Sequence, residues 1–295
     1  MTRRLRFGLC TDQNLSWEAT LERWRLFERL GFDSAWDCDH FLQPSRPHGQ
    51  YLEAWTLLAA LAARTERIRV GVLVSSNTFR HPALLAKEAV TVDHVSGGRL
   101  ELGLGAGWYE PEHAMYGIEL PPPRELVDRF EEAVEVVDGL LRGRLTSYEG
   151  RHYRLRDPHF QPPPAQRPRP PLTLGAHGPR MLRIAARYAD AWSSFGTAEQ
   201  IRSRNGILDE ACGAIGRDPG QVLRSLYYWV PRAGTDPWSS TDAFLDVVGR
   251  YREAGIEEFI IDHPRDDQLD MLERVAADVL PRLRAEAETA GGFRT

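Results

Sequence analysis

No run of roughly eighteen apolar residues occurs anywhere in this chain, which excludes a hydrophobic helix long enough to span a bilayer. The opening "MTRRLRFGLCTD" has basic residues but lacks an apolar core and a small-residue cleavage site, so it reads as a first strand and not a secretory signal. Cysteine is scarce. Cys10, Cys38 and Cys212 are far apart and form no C-x-x-C pattern, so a disulfide framework is not expected and a reducing cytoplasm is. An excess of one charge is missing too. A net charge of −5, with both signs interleaved, leaves no nucleic-acid arm and no polybasic membrane patch. What is there, 295 residues at 42% hydrophobic and 27% charged, is the composition of a soluble globular protein with ample length for a core.

Short β-rich runs alternate with longer amphipathic ones. "RFGLCTD" (6–12) reads as a strand, and Trp17, Leu21, Trp24 and Phe27 place an apolar stripe on a helix over 16–30, stopped by Gly31. Strand 32–39, helix 51–64 and strand 67–74 follow, and Pro82 opens the next helix where its missing N–H costs nothing. Strand 99–107 precedes a helix over 124–142. A hairpin (145–155) and a proline-dense stretch (157–171) then interrupt the pattern; the latter reads as a surface linker before it reads as a peptide ligand. The alternation resumes with "LTLGAHG", a helix from 179, "DAWSS", a helix over 197–215, strand 222–231, a helix over 240–253, strand 257–262 and a helix over 268–284. Eight strand–helix units without a repeated motif imply a parallel sheet, and in this length a closed (β/α)₈ TIM barrel. The expectation is a single domain over 1–295 with an insertion at 143–171, before the fifth strand.

Active sites of such barrels lie at the C-terminal strand ends. "WDCDHF" ends its strand there, so Asp39 and His40 fall at the mouth. A zinc site needs three or four ligands. "CTDQN" has no histidine at the first strand end, and Asp39 with His40 supplies two adjacent ligands at most, so no metal is expected. Cys38 reads as a buried thiol before a nucleophile. Glycines in "LGLGAGWYE" (102–110) allow a flat ligand near the backbone. In "TLGAHGPRML" (173–182) a glycine loop opens a helix whose N–H groups attract an anion, with Arg180 adding charge. A plain turn and helix start fits those residues as well.

The run "RIRVGVLVSSNTFRHPALLAKEAVTVDHVSGGRLELGLGAGW" (67–108) closely resembles the core of the bacterial luciferase-like superfamily of flavin and deazaflavin oxidoreductases. "GFDSAWDCDHF", "EAWTLLAALAARTERI", "PLTLGAHGPRMLRIAARYADAWSS" and "YREAGIEEFIID" extend the resemblance over most of the chain. It implies a TIM barrel holding a tricyclic cofactor at the strand mouths. Asp39 followed by His40 resembles the branch that uses coenzyme F420, in which this pair lies beside the redox ring. The implied activity is hydride transfer between that deazaflavin and a small organic substrate. His40, of a residue type with an ordinary pKa of about 6.5, would be the general acid, worth on the order of 10²–10⁴-fold in rate, with Asp39 orienting it or bonding the ring.

The resemblance also implies a cis peptide joining Leu73 and Val74 against the rear of the ring, with Ser76 at its edge. Gly105, Ala106 and Gly107 would border the cofactor side chain. Gly175, Ala176 and Gly178 would cradle its phosphate, although Ala176 and His177 interrupt a glycine run that is denser in relatives. Trp36, Trp108, Tyr109 and Trp229 are candidate substrate walls, while Trp55 reads as core. A homodimer is expected from the family alone. Two alternatives stand beside this reading. One is an FMN-dependent monooxygenase, its phosphate held by Arg180 and Arg183. The other is a flavin-binding protein without turnover, which Asp39 and His40 argue against.

Overall fold

In the computed structural model, which describes residues 4–44 and 47–291, the apolar runs become strands buried on both faces. The chain builds β1 (Arg6–Cys10), α1 (Trp17–Arg29), β2 (Ser34–Asp37), α2 (Ala54–Ala62), β3 (Arg69–Val72) and β4 (Ser75–Ser76). It continues with α3 (Pro82–Val95), β5 (Leu100–Gly105), α4 (Glu110–Tyr116), α5 (Pro123–Leu141) and a hairpin of β6 (Ser147–Glu149) and β7 (Arg154–Arg156). Then come β8 (Leu172–Gly175), α6 (Pro179–Tyr188), β9 (Ala191–Ser194), α7 (Ala198–Ala214), β10 (Leu223–Tyr228) and α8 (Val230–Ala233). The last elements are α9 (Thr241–Glu253), β11 (Glu258–Asp262), α10 (Leu269–Arg274) and α11 (Leu280–Gly291).

All sheet pairings outside the hairpin are parallel, in the order β3-β2-β1-β11-β10-β9-β8-β5-β4. Pairing of β3 with β5 closes the ring, and β4 continues the β3 position after a two-residue break at Leu73 and Val74. The result is the closed eight-position parallel barrel with outer helices that the alternation implies. Its main core lies between strands and helices, whereas Cys10, Trp36, Cys38, Leu73 and Ile260 pack together as a separate cluster.

Helices are fixed where they steer the strand ends. Ser16 caps α1 through Ala19 N (3.2 Å), and buried Trp24 donates from Nε1 to Thr11 Oγ1 (2.9 Å), tying α1 to the end of β1. At the opposite pole Arg6 and Arg69 both donate to buried Glu101, an ion cluster suited to holding the barrel floor. The hairpin is docked by Glu132, which accepts from the N–H groups of Arg151, His152 and Tyr153. Tyr153 in turn takes a hydrogen bond from Asn77 (3.1 Å), just past β4. The proline-rich stretch lies along α3, where Asp93 accepts from Gln166 N and Nε2.

Two features differ from the sequence expectation. The final helix is interrupted by a π turn at Val275–Val279 and extends to Gly291. Helix α4 occupies a segment read as a connection, and α8 begins inside the segment read as strand 222–231; each has Pro at its start and a left-handed glycine at its end, Gly117 and Gly234.

Candidate active site

A cavity of about 390 Å³ opens at the C-terminal strand ends. One side is backbone and small residues: Leu73, Val74, Ser76, Gly105, Ala106, Gly107, Gly175 and Gly178. The other is aromatic and titratable: His40, Trp108, Tyr109, Phe195, Tyr227, Trp229 and Asp12 among them.

The peptide between Leu73 and Val74 is cis, as the resemblance implies. Glycine is required around it because the backbones crowd Val74. A Cβ on Gly105 would stand 2.6 Å from Val74 Cγ2, and one on Gly175 3.0 Å from the same methyl. Gly107, at φ +92°, would place a Cβ 2.8 Å from Thr78 Oγ1 and 2.9 Å from Ser76 Oγ. These glycines give the cavity a smooth wall that a planar ring can approach. Gly178, by contrast, borders open space and heads α6 with no side-chain cap, so first-turn N–H groups of that helix remain available to an anion.

His40 is held from a direction the sequence reading did not supply. Its Nδ1 lies 2.8 Å from Glu112 Oε2, on α4. The same buried carboxyl accepts from the N–H groups of Phe41 (2.5 Å) and Leu42 (3.2 Å), fixing the chain that carries the imidazole. An Nδ1–H donating to Glu112 leaves Nε2 as the ring nitrogen for the cavity. Trp108 and Tyr109 meet the imidazole edge to face, with centroids at 5.9 and 6.2 Å.

Asp39 has another task. Arg80 donates to both of its oxygens (2.5 and 3.0 Å), and Ser76 N donates to Oδ2 (2.7 Å). The expectation that Asp39 orients His40 is therefore corrected: the bidentate arginine fork already engages it, and Glu112 orients the ring. Arg80 also meets Glu53 and Glu88, each at 3.3 Å. Asp39 lines the cavity and locks the strand end that presents Ser76. Asp37 is not part of the cavity lining. Burial, then the charges of Asp39 and Glu53, push its carboxyl far above the ordinary range.

Three further placements are corrected. Trp36 is fully buried in the cluster with Cys10 and Cys38, its indole donating to Ser34 Oγ, so it is core and not a substrate wall. Ala176 is buried behind the cavity, its N–H and carbonyl taken by Ser193 O and Trp192 Nε1; His177 and not Ala176 faces the cavity from that loop. Arg180 turns to Asp128 and Glu131 on α5 and leaves the loop without its charge, and Arg183 is exposed. Trp108, Tyr109 and Trp229 do line the cavity, and Trp55 is core, bonded to Ser75.

Deeper in the mouth, Tyr227 OH and Val230 N donate to Asp262 at 2.8 and 2.9 Å. Burial raises Asp262 to about 7 despite the Tyr227 bond. Cys38 lies 3.4 Å, sulfur to sulfur, from Cys10. That contact lowers the Cys38 pKa more than any other single influence, yet burial together with the charges of Asp12, Asp262 and Asp37 outweighs it and the thiol is raised, which makes it a poor nucleophile. His177 is pushed down to about 4 by burial and by Arg204.

Sequence reasoning missed Glu112, Arg80 and Asp262. "WYEPEHAMYG" carried a usable signal: an acidic, proline-led start and a glycine stop define a short helix right after the glycine-rich strand end.

Residues 5–233 match the family model for luciferase-like monooxygenases. Over 87% of this chain and 92% of the relative, the sequence is 30% identical to F420-dependent glucose-6-phosphate dehydrogenase of Intrasporangium calvum. It is 36% identical to phthiodiolone/phenolphthiodiolone dimycocerosates ketoreductase of Mycobacterium kansasii, over 69% of this chain and 56% of that one. Among solved structures, an F420-dependent secondary alcohol dehydrogenase in complex with an F420–acetone adduct superposes with a TM-score of 0.80 at 18% identity, covering 92% of this chain and 98% of the other. No helix among the described residues is long and apolar enough to cross a membrane.

Proposed function

The chain belongs to the luciferase-like monooxygenase family, and from that premise we propose an F420-dependent oxidoreductase whose whole length forms one catalytic barrel. It moves a hydride between the deazaflavin and a small organic substrate of the alcohol or carbonyl class; two of the relatives above are named as F420-dependent dehydrogenases and the third as a ketoreductase. The observation that carries this reading is the His40–Glu112 pair set beside a glycine-walled cavity.

The residues fit such a cofactor. Leu73, Val74, Gly105, Ala106 and Gly107 would hold its ring and side chain, and the uncapped start of α6 at Gly178, with Gly175 and His177, its phosphate. Bound F420 supplies a ring carbon that takes or gives a hydride and is poorly suited to oxygen activation. His40 Nε2 takes the substrate hydroxyl proton in the oxidising direction and returns it to the carbonyl oxygen in the reducing one. Glu112 holds the imidazole in the tautomer and orientation this requires. Asp39 and Arg80 act on neither proton; they fix the backbone at Ser76 against which the ring would lie. Trp108 and Tyr109 exclude water from the imidazole edge.

We place the enzyme in the cytoplasm, supported by its free thiols, and as a homodimer, supported by the exposed Leu84 and Val95 on α3. Titrating the apo-protein with F420 and with FMN, followed by cofactor fluorescence, tests the central reading: F420 binds tightly and FMN weakly. Tight FMN binding with weak F420 binding would move the protein to the oxygen-using branch. Of the two cations on which that alternative drew, Arg180 is already paired with Asp128 and Glu131, and Arg183 is exposed.

A further inference from the structure

Resting on the proposed alcohol–carbonyl reaction, we infer that the substrate is an aryl or similarly apolar secondary alcohol, or its ketone, and not a sugar phosphate. The chemistry of the wall beside His40 carries this. Trp108 reaches His40 edge to face and stands 6.4 Å from Trp229, so a second indole continues the wall from the one that meets the imidazole. Tyr227 lies nearly parallel to Trp229, at 8° and 6.4 Å, and its hydroxyl is engaged by Asp262, so it also turns a ring face to this region.

Trp108 is 52% exposed although it lies in the cavity wall, and Met115 and Tyr116 on α4 are 64% and 55% exposed. Such a group of large apolar side chains beside a binding cavity fits a ligand that brings its own apolar surface. The uncapped start of α6 at Gly178 is assigned to the cofactor phosphate, so a substrate phosphate would need donors of its own, arginine forks or lysines aimed inward. Among the described residues lining the cavity there is no lysine or arginine. Arg232 lies outside the lining and stacks over the Trp229 and Phe195 rings, at 4.9 and 5.8 Å.

In the oxidising direction the alcohol loses its carbinol hydrogen as hydride to oxidised F420 and its hydroxyl proton to His40, leaving the ketone. No further oxidant is needed.

The test uses the F420-loaded protein with 1-phenylethanol, isopropanol and glucose 6-phosphate, following loss of oxidised deazaflavin absorbance. We expect kcat/KM for 1-phenylethanol to exceed that for glucose 6-phosphate by at least about tenfold, and Trp108→Ala to raise the 1-phenylethanol KM by about tenfold. The F420 Kd, read by fluorescence, should stay unchanged in that variant, and the KM for isopropanol should rise by less than that for 1-phenylethanol. Trp229→Ala is a second probe of the same wall. Glucose 6-phosphate as the better substrate overturns the inference, as does a 1-phenylethanol KM indifferent to both substitutions. If F420 binds but none of the three alcohols is oxidised and acetophenone is not reduced, the hydride-transfer reading itself falls, and this inference with it.

Discussion

Replacing Glu112 with glutamine separates positioning of the imidazole from everything else in the site. The wild-type carboxyl is fully buried and accepts three hydrogen bonds, from His40 Nδ1 (2.8 Å), Phe41 N (2.5 Å) and Leu42 N (3.2 Å). Glutamine keeps the shape and one acceptor oxygen. If that oxygen stays with the two backbone N–H groups, the amide NH₂ faces Nδ1 and forces the opposite tautomer, with the proton on Nε2. General acid–base catalysis by a positioned group contributes about 10²–10⁴-fold. Losing the orientation while keeping the imidazole should cost part of that, a fall in kcat of about 10²-fold. A hydrogen bond to a charged group contributes about 1.5–3 kcal/mol, so a stability loss near the lower figure is expected as well. The assay is steady-state turnover beside an independent F420 titration and urea unfolding. The solvent deuterium isotope effect on kcat should rise, because proton transfer becomes limiting; a folding defect would not do that. Unchanged kcat refutes the argument, and so does a fall in kcat matched by an equal fall in F420 affinity.

Other perturbations have equally definite outcomes. Arg80→Met leaves Asp39 buried without its fork and Glu53 and Glu88 unbridged, so urea unfolding should show a loss of about 3–5 kcal/mol, with F420 affinity falling in the same variant. Gly107→Ala forces a Cβ against Thr78 and Ser76 at φ +92°, at a backbone cost of about 1–2 kcal/mol or more, and F420 fluorescence titration should show weakened binding, not slowed chemistry. Asp262 has a folded pKa of about 7, above its unfolded value, so its contribution to stability is complete below about pH 4 and is lost as pH rises towards 7. Between pH 5 and 7 the Asp262→Asn variant should therefore lose about 2 kcal/mol less stability than the wild type, measured by urea unfolding at each pH.

The barrel was legible because its signals are local and repeated. Apolar strands, amphipathic stripes such as Trp17 to Phe27, and a proline at the head of α3 each announce an element without reference to the others. The place of His40 followed from the rule that strand C-termini carry the chemistry. Its partner did not, because nothing local in "DCDHF" says that Glu112 closes on it, and the nearer carboxylate, Asp39, was the natural guess. Asp39 was diverted by Arg80, and that preference depends on how β3 breaks at Leu73 and Val74 and returns as β4. Trp36 misled for a related reason. Alternation assigns a residue to the barrel interior but not to a depth within it, and Trp36 lies below the cavity in a cluster of which Cys38 and Leu73 alone reach the lining. Arg180 was drawn off by acidic residues of α5, a neighbour that only the tertiary packing supplies.

The imidazole and the carboxyl that aims it stand 72 residues apart in the chain. Between them come two barrel positions, the broken strand of β3 and β4 and the glycine-walled β5. During synthesis or refolding, neither residue can find the other until that arc of the ring has assembled and α4 has settled over its mouth. Competence to shuttle a proton therefore waits on long-range assembly, and so does the wall of small residues, whose Gly175 and Gly178 lie further along the chain still. A chain caught part-way should neither hold the coenzyme nor use it, and recovery of turnover should keep pace with recovery of binding.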